Sequence, residues 1–121
     1  MSSQLVISGG TVIDGTGAPP VAGDVAVADG RIVAVGAGAA AAVGPDATRI
    51  DATGRTVMPG LIDSHLHCTF DDVQSNDELF FHREPTMAAL VAAQNLQKML
   101  LAGVTSFVDP DTAHGIGPSL R

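Results

Sequence analysis

The chain has 121 residues, 45% of them hydrophobic and 16% charged, enough for one ordinary domain or two small subdomains with a modest core. Thirteen acids against six bases leave a formal charge of -7, which argues against a basic phosphate-contacting surface and so against nucleic acid as a partner. A single cysteine, Cys68, excludes an intrachain disulfide; with no signal-peptide pattern and no apolar run of about 18 residues, the expectation is a cytoplasmic protein without a membrane segment.

Only 3% of residues are aromatic, so Val, Ala, Leu and Ile must do most of the packing. The first part of the chain reads as short strands separated by turns. "LVIS" stops at Gly9-Gly10, and "TVID" stops at the Gly/Pro-rich "GTGAPP". "DVAVA" and "RIVAV" flank Asp29-Gly30, a dipeptide that tolerates the positive φ of a two-residue hairpin turn, which predicts paired strands over 24–28 and 31–35. The segment 36–47 is a small-residue linker whose alanines Gly44-Pro45 stops, and "TRIDA" and "RTVMP" predict two more short strands around Gly54.

After Pro59-Gly60 the pattern changes. A strand is expected over 61–67, a long loop rich in Asp, Asn and Ser over 69–85, a helix over 86–102 and a strand over 104–108. Pro85 or Thr86 starts the helix, Gly103 ends it, and Ala89, Ala92, Ala93, Leu96, Met99 and Leu100 form its sheet-facing stripe. Strand, helix and strand make a β-α-β crossover and hence two parallel strands. Two parallel strands leave edges that need neighbours, so the chain is expected to be one part of a larger sheet.

The strand over 61–67 ends in "DSHLH". Alternation along a strand puts Asp63, His65 and His67 on one side, with the histidine Cα atoms roughly 6 to 7 Å apart. Imidazoles at that spacing can converge on one ion at about 2.0 to 2.1 Å, with Asp63 one step deeper, where it could orient a histidine or ligate weakly. The plain alternative is two polar residues on an exposed edge. The position favours ligands: the pair closes an apolar run at the C-terminal end of a parallel strand, where α/β folds build their sites.

"GTVIDGTG", "GDVAVADGRIVAVG", "ATRIDATGRTVMPGLIDSHLH" and "AALVAAQNLQKMLLAGVTSFVD" together resemble the N-terminal part of the metal-dependent amidohydrolase superfamily, in the branch with imidazolonepropionase-like and prolidase-like enzymes. The resemblance covers nearly the whole chain in the family's order. It implies a (β/α)8 barrel with a small β-sandwich subdomain assembled from both ends of the sequence. Residues 1–58 would supply the N-terminal part of the sandwich, and residues 59–121 the first strand, helix and second strand of the barrel. It also implies one or two divalent ions, commonly zinc, with His65 and His67 as the first-strand ligands. The family's later ligands, a lysine or glutamate, two histidines and an aspartate that accepts a proton, have no counterpart here. The expected partners are therefore the remaining barrel polypeptide and a small amide or cyclic amide substrate, with a homo-oligomer of the intact enzyme left open. One departure stands out: where the family has "VRD" and a glycine pair, this chain has "VDPDTAHGIG".

Other residues carry weaker signals. His82 and Arg83 lie in the loop that would rim a barrel mouth, where Arg83 could grip a substrate carboxylate; the alternative is a solvated turn before the helix. His114, after the second strand, reads as a loop histidine. Phe80 and Phe81 fit either a substrate wall or packing under their own loop. Cys68 is expected to be buried rather than a third ligand. The reading is the N-terminal portion of a metal-dependent hydrolase of carbon-nitrogen bonds, inactive without the rest of its barrel. The competing reading is a non-catalytic binding or assembly module.

Overall fold

The structure is a computed structural model and describes residues 3–120. Two compact units divide the chain, Met1–Pro59 and Gly60–Arg121.

The first unit is one five-stranded sheet. β1 (Gln4–Val12), β2 (Val21–Ala28) and β3 (Arg31–Gly36) run antiparallel in sequence, while β4 (Thr48–Asp51) and β5 (Thr56–Val57) both pair in parallel with the other edge of β1. The hairpin between β2 and β3 turns on Asp29 at φ 51° and Gly30 at φ 74°, as that dipeptide predicts.

The expectation of two separate strands at "LVIS" and "TVID" is corrected: β1 runs through Gly9-Gly10. Those glycines make a bulge rather than a stop. Between Ile7 and Gly10, β1 carries one more residue than β2, with Gly9 at φ 74° donating its N–H to Asp24 Oδ1 at 2.9 Å. At Gly10 a Cβ would stand 2.7 Å from Val57 Cγ2, so the parallel strand can lie close only against a bare backbone. Val6, Val12, Val25 and Ala26 form the core with Ala39, which sits on a single 3-10 turn over Ala39–Ala42 in the predicted linker. The sheet also keeps open apolar surface: Ile32, Val33 and Val35 are 66%, 50% and 49% exposed.

In the second unit β6 (Leu61–Asp63) and β7 (Val104–Phe107) are parallel, joined by α1 (Pro85–Leu101). Pro85 occupies the first helical turn, where its missing N–H costs nothing, and Gly103 at φ 91° ends the helix. The buried stripe is shifted from the expected one. Ala88 and Ala92 are fully buried, Val91, Asn95, Leu96 and Met99 are half-buried, and Ala93 and Leu100 face solvent. A periodic count of apolar residues missed Asn95, a polar residue that faces inwards because it has carbonyl partners there. Cys68, Thr69 and Leu79 complete the buried set, and Leu79 lies in a single wide helical turn, Glu78–His82, within the predicted loop. Leu61 and Ile62 on β6 remain 49% and 73% exposed, and among the described residues no further strand pairs with the outer edges of β6 and β7. Among the described residues no helix is long and apolar enough to cross a membrane.

Candidate metal centre

The strand expected over 61–67 is shorter. β6 ends at Asp63, because the Asp63 carboxylate accepts the N–H of His65 at 3.1 Å and bends the chain. Two backbone bonds then keep the bent segment beside the next strand: Val108 N–H donates to Asp63 O at 2.9 Å, and Leu66 N–H donates to Val108 O at 3.0 Å. His65 and His67 therefore stand just beyond the C-terminal end of β6, and Asp109 just beyond that of β7. Asp63 acts on the His65 backbone rather than on a ring.

Despite the bend, the two rings converge. Their Nε2 atoms are 3.2 Å apart, with the ring planes at 81°. Two nitrogens bound tetrahedrally at 2.0 to 2.1 Å would be separated by about 3.3 to 3.4 Å. The pair thus has the spacing of two adjacent ligands on one small divalent ion. Among the described residues no group of three or more His, Cys, Asp or Glu side chains gathers to hold a metal.

His67 is fixed from several sides. Phe70 stacks on it at a centroid distance of 4.3 Å and 13° between planes, and Phe80 meets Phe70 edge-on at 5.5 Å. Its Nδ1 is buried without a hydrogen-bond partner, and Asp109 Oδ1 lies 3.7 Å away. Asp109 is itself held by backbone: Oδ2 accepts the Cys68 N–H at 3.0 Å and Oδ1 the Asp111 N–H at 3.2 Å. Burial would raise its carboxyl pKa, but hydrogen bonds from the Cys68 thiol, the Cys68 N–H, Thr112 and Asp111 outweigh burial and hold it below the ordinary value. The Cys68 thiol moves the other way, pushed up to about 12 by burial, by donating its S–H to the Asp109 carboxylate and by the negative charge of that carboxylate. A thiol so strongly held in its protonated form is a poor metal ligand, in keeping with the burial expected for it.

The loop residues are engaged among themselves. Arg83, with a side chain 6% exposed, bonds Asp71 Oδ1 at 2.6 Å and the Thr69 carbonyl at 3.4 Å. His82 pairs with Asp77 at 3.0 Å in solvent, and His114, at φ 57°, lies 3.1 Å from the Arg83 carbonyl oxygen. A substrate carboxylate at Arg83 would have to compete with Asp71. Phe81 is 78% exposed, whereas Phe80 packs on Phe70.

Asn95 and Asp109 are the residues that sequence reasoning missed. Asn95 is a polar residue beside the apolar positions of the expected stripe, and Asp109 falls within the "VDPD" departure. The argument that selected the histidines also points to Asp109, the first acidic residue past the C-terminal end of the second parallel strand.

The Amidohydrolase family profile matches residues 56–116. N-acyl-D-aspartate deacylase from Alcaligenes xylosoxydans xylosoxydans is 49% identical over 65 residues, which are 54% of this chain and 12% of the deacylase. A 5-methylthioadenosine/S-adenosylhomocysteine deaminase from Symbiobacterium thermophilum is 37% identical over 88% of this chain and 28% of its own. The structure of a prolidase, solved with N-methylphosphonate-L-proline, superposes with a TM-score of 0.74 at 31% identity, covering 88% of this chain and 26% of the prolidase. The chain belongs to the amidohydrolase family and carries the N-terminal β portion and first β-α-β unit of its fold. It spans less than a third of the length of each of these relatives.

Proposed function

We propose that this chain supplies the first two ligands, His65 and His67, of a divalent-metal centre, commonly zinc, in a hydrolase of carbon-nitrogen bonds. The observation that carries the reading is the 3.2 Å approach of the two Nε2 atoms at the C-terminal end of a parallel strand pair. The related deacylase and deaminase names support carbon-nitrogen chemistry, with an amide, cyclic amide or N-acyl amino acid as the substrate class. When bound, such an ion polarises a carbonyl and lowers the pKa of water towards neutrality.

The chain's own residues hold and aim the rings. Asp63 sets the bend that carries His65, Phe70 fixes the plane of His67, and Asn95 ties the segment to the helix. Two imidazoles hold zinc weakly and supply no proton acceptor, so we assign the other ligands and the base to polypeptide that pairs with the outer edges of β6 and β7 to complete a (β/α)8 barrel. The open apolar surface of the first sheet suits the second half of a β-sandwich. The reading predicts no hydrolysis by this chain alone. A cytoplasmic setting fits the lone buried thiol.

The absence of a third ligand among the described residues favours a second reading, a non-catalytic binding or assembly module. Hydrolysis of an N-acyl amino acid series by the assembly containing the remaining strands separates the two. Activity lost with a chelator and restored by zinc supports the hydrolase. A complete assembly that folds, binds no metal and cleaves nothing supports the module.

A further inference from the structure

We propose that Asp109 is a positioning residue for His67: it accepts a hydrogen bond from Nδ1–H and so leaves the Nε2 lone pair free and directed at the His65 ring nitrogen. This rests on the metal-centre reading for its purpose, but its geometry stands alone. His67 Nδ1 is buried and without a hydrogen-bond partner, an arrangement that costs about 1–3 kcal/mol if nothing offsets it. Asp109 Oδ1, at 3.7 Å, falls short of a hydrogen bond by under about 1 Å.

The approach that closes this gap is constrained. Phe70, stacked 13° from parallel, lets the His67 ring slide or turn in its own plane but opposes tilting. Asp109 accepts the N–H of Cys68, the residue after His67, so this bond holds the carboxylate beside the segment that carries the ring. An ionised carboxylate only accepts, which places the neutral imidazole's proton on Nδ1 and its lone pair on Nε2. The neighbouring 3.2 Å contact then has one consistent form without a metal, with His65 Nε2–H donating to His67 Nε2. A carboxylate behind a ligating histidine in this way fixes its tautomer and raises its basicity.

The test is long-range 1H–15N NMR of the histidine rings in the full chain, metal-free and with both rings neutral, alongside zinc affinity of the assembly containing the remaining strands, by competition with a chelating dye. His67 is expected as the Nδ1–H form. In Asp109→Asn a single oxygen must serve the Cys68 and Asp111 N–H groups, and the amide turns donors towards the ring; the Nδ1–H population should fall and zinc affinity drop about 10–100-fold. Wild-type His67 in the Nε2–H form overturns the proposal, a result that needs no folded variant. A folded Asp109→Asn with tautomer and affinity unchanged overturns it as well. Nδ1–H in a wild-type chain whose assembly with the remaining strands folds but binds no zinc contradicts the metal reading while supporting the Asp109 contact, so the two fail separately.

Discussion

Asn95 on α1 donates its side-chain amide to the Phe70 carbonyl at 2.7 Å, and the same nitrogen reaches the Cys68 carbonyl at 3.0 Å. One helical residue thus anchors both the phenyl ring that stacks on His67 and the residue that follows it. Carbonyls in a bent segment have no ladder to satisfy them, and Asn95 replaces it.

Removing that amide should therefore loosen the site. Asn95→Ala is expected to destabilise the protein by about 1–3 kcal/mol, the cost of leaving buried carbonyls unpaired. Asn95→Asp keeps the shape but sets a carboxylate against two carbonyl oxygens, so it should be worse than Ala at neutral pH. Urea unfolding of the three proteins gives the order; an Asp variant as stable as wild type would refute the clamp.

Cys68 makes stability fall at alkaline pH. Its thiol is pushed up to about 12 in the fold from an ordinary value of 9.0, so the unfolded chain loses this proton first. A group raised in the folded state contributes stability that is complete below pH 9 and declines from there to about 12, at about 1.4 kcal/mol per unit. Cys68→Ala should lower stability at neutral pH by creating a cavity, yet show a flatter decline in urea midpoint across that window. Equal slopes for the two proteins would contradict the assignment. Thiol reagents should label wild-type Cys68 slowly until denaturant is added.

Arg83→Met should free the loop without melting the helix. The guanidinium joins Asp71 at 2.6 Å and the Thr69 carbonyl, with its own side chain nearly buried and Asp71 partly in solvent. Because of that solvent, a loss of about 1–2 kcal/mol is expected rather than the larger penalty of a fully buried pair. Hydrogen exchange should quicken across residues 69–85, while amides around Ala88 and Ala92 stay protected. Unchanged exchange in the loop would show the pair to be incidental.

Local signals carried most of what could be foreseen. The Asp29-Gly30 hairpin, the helix from Pro85 and the parallel pair follow from turn chemistry, capping and periodicity, which act over a few residues. The parts that escaped depend on contacts distant in sequence. Gly9-Gly10 reads as a stop, yet β1 continues because β5 lies against Gly10. Gly60 marks only a change of pattern in the sequence, whereas a Cβ there would collide with the Thr105 side chain across the parallel pair. The histidines were legible because a strand's alternation and its C-terminal end define a site; their actual convergence comes through a bend set by Asp63. Asp109 and Asn95 were hidden because their hydrogen-bond partners on the bent segment are 25 to 41 residues away.

The central claim is that His65 and His67 hold one divalent ion together. Zinc content and affinity of the purified assembly, measured for wild type, His65→Ala and His67→Ala, test it most directly. One or two ions per wild-type chain are expected, and either substitution should weaken binding by more than about 100-fold, beyond the loss typical of outer-shell groups. Zinc retained at wild-type affinity by either alanine variant would contradict the claim.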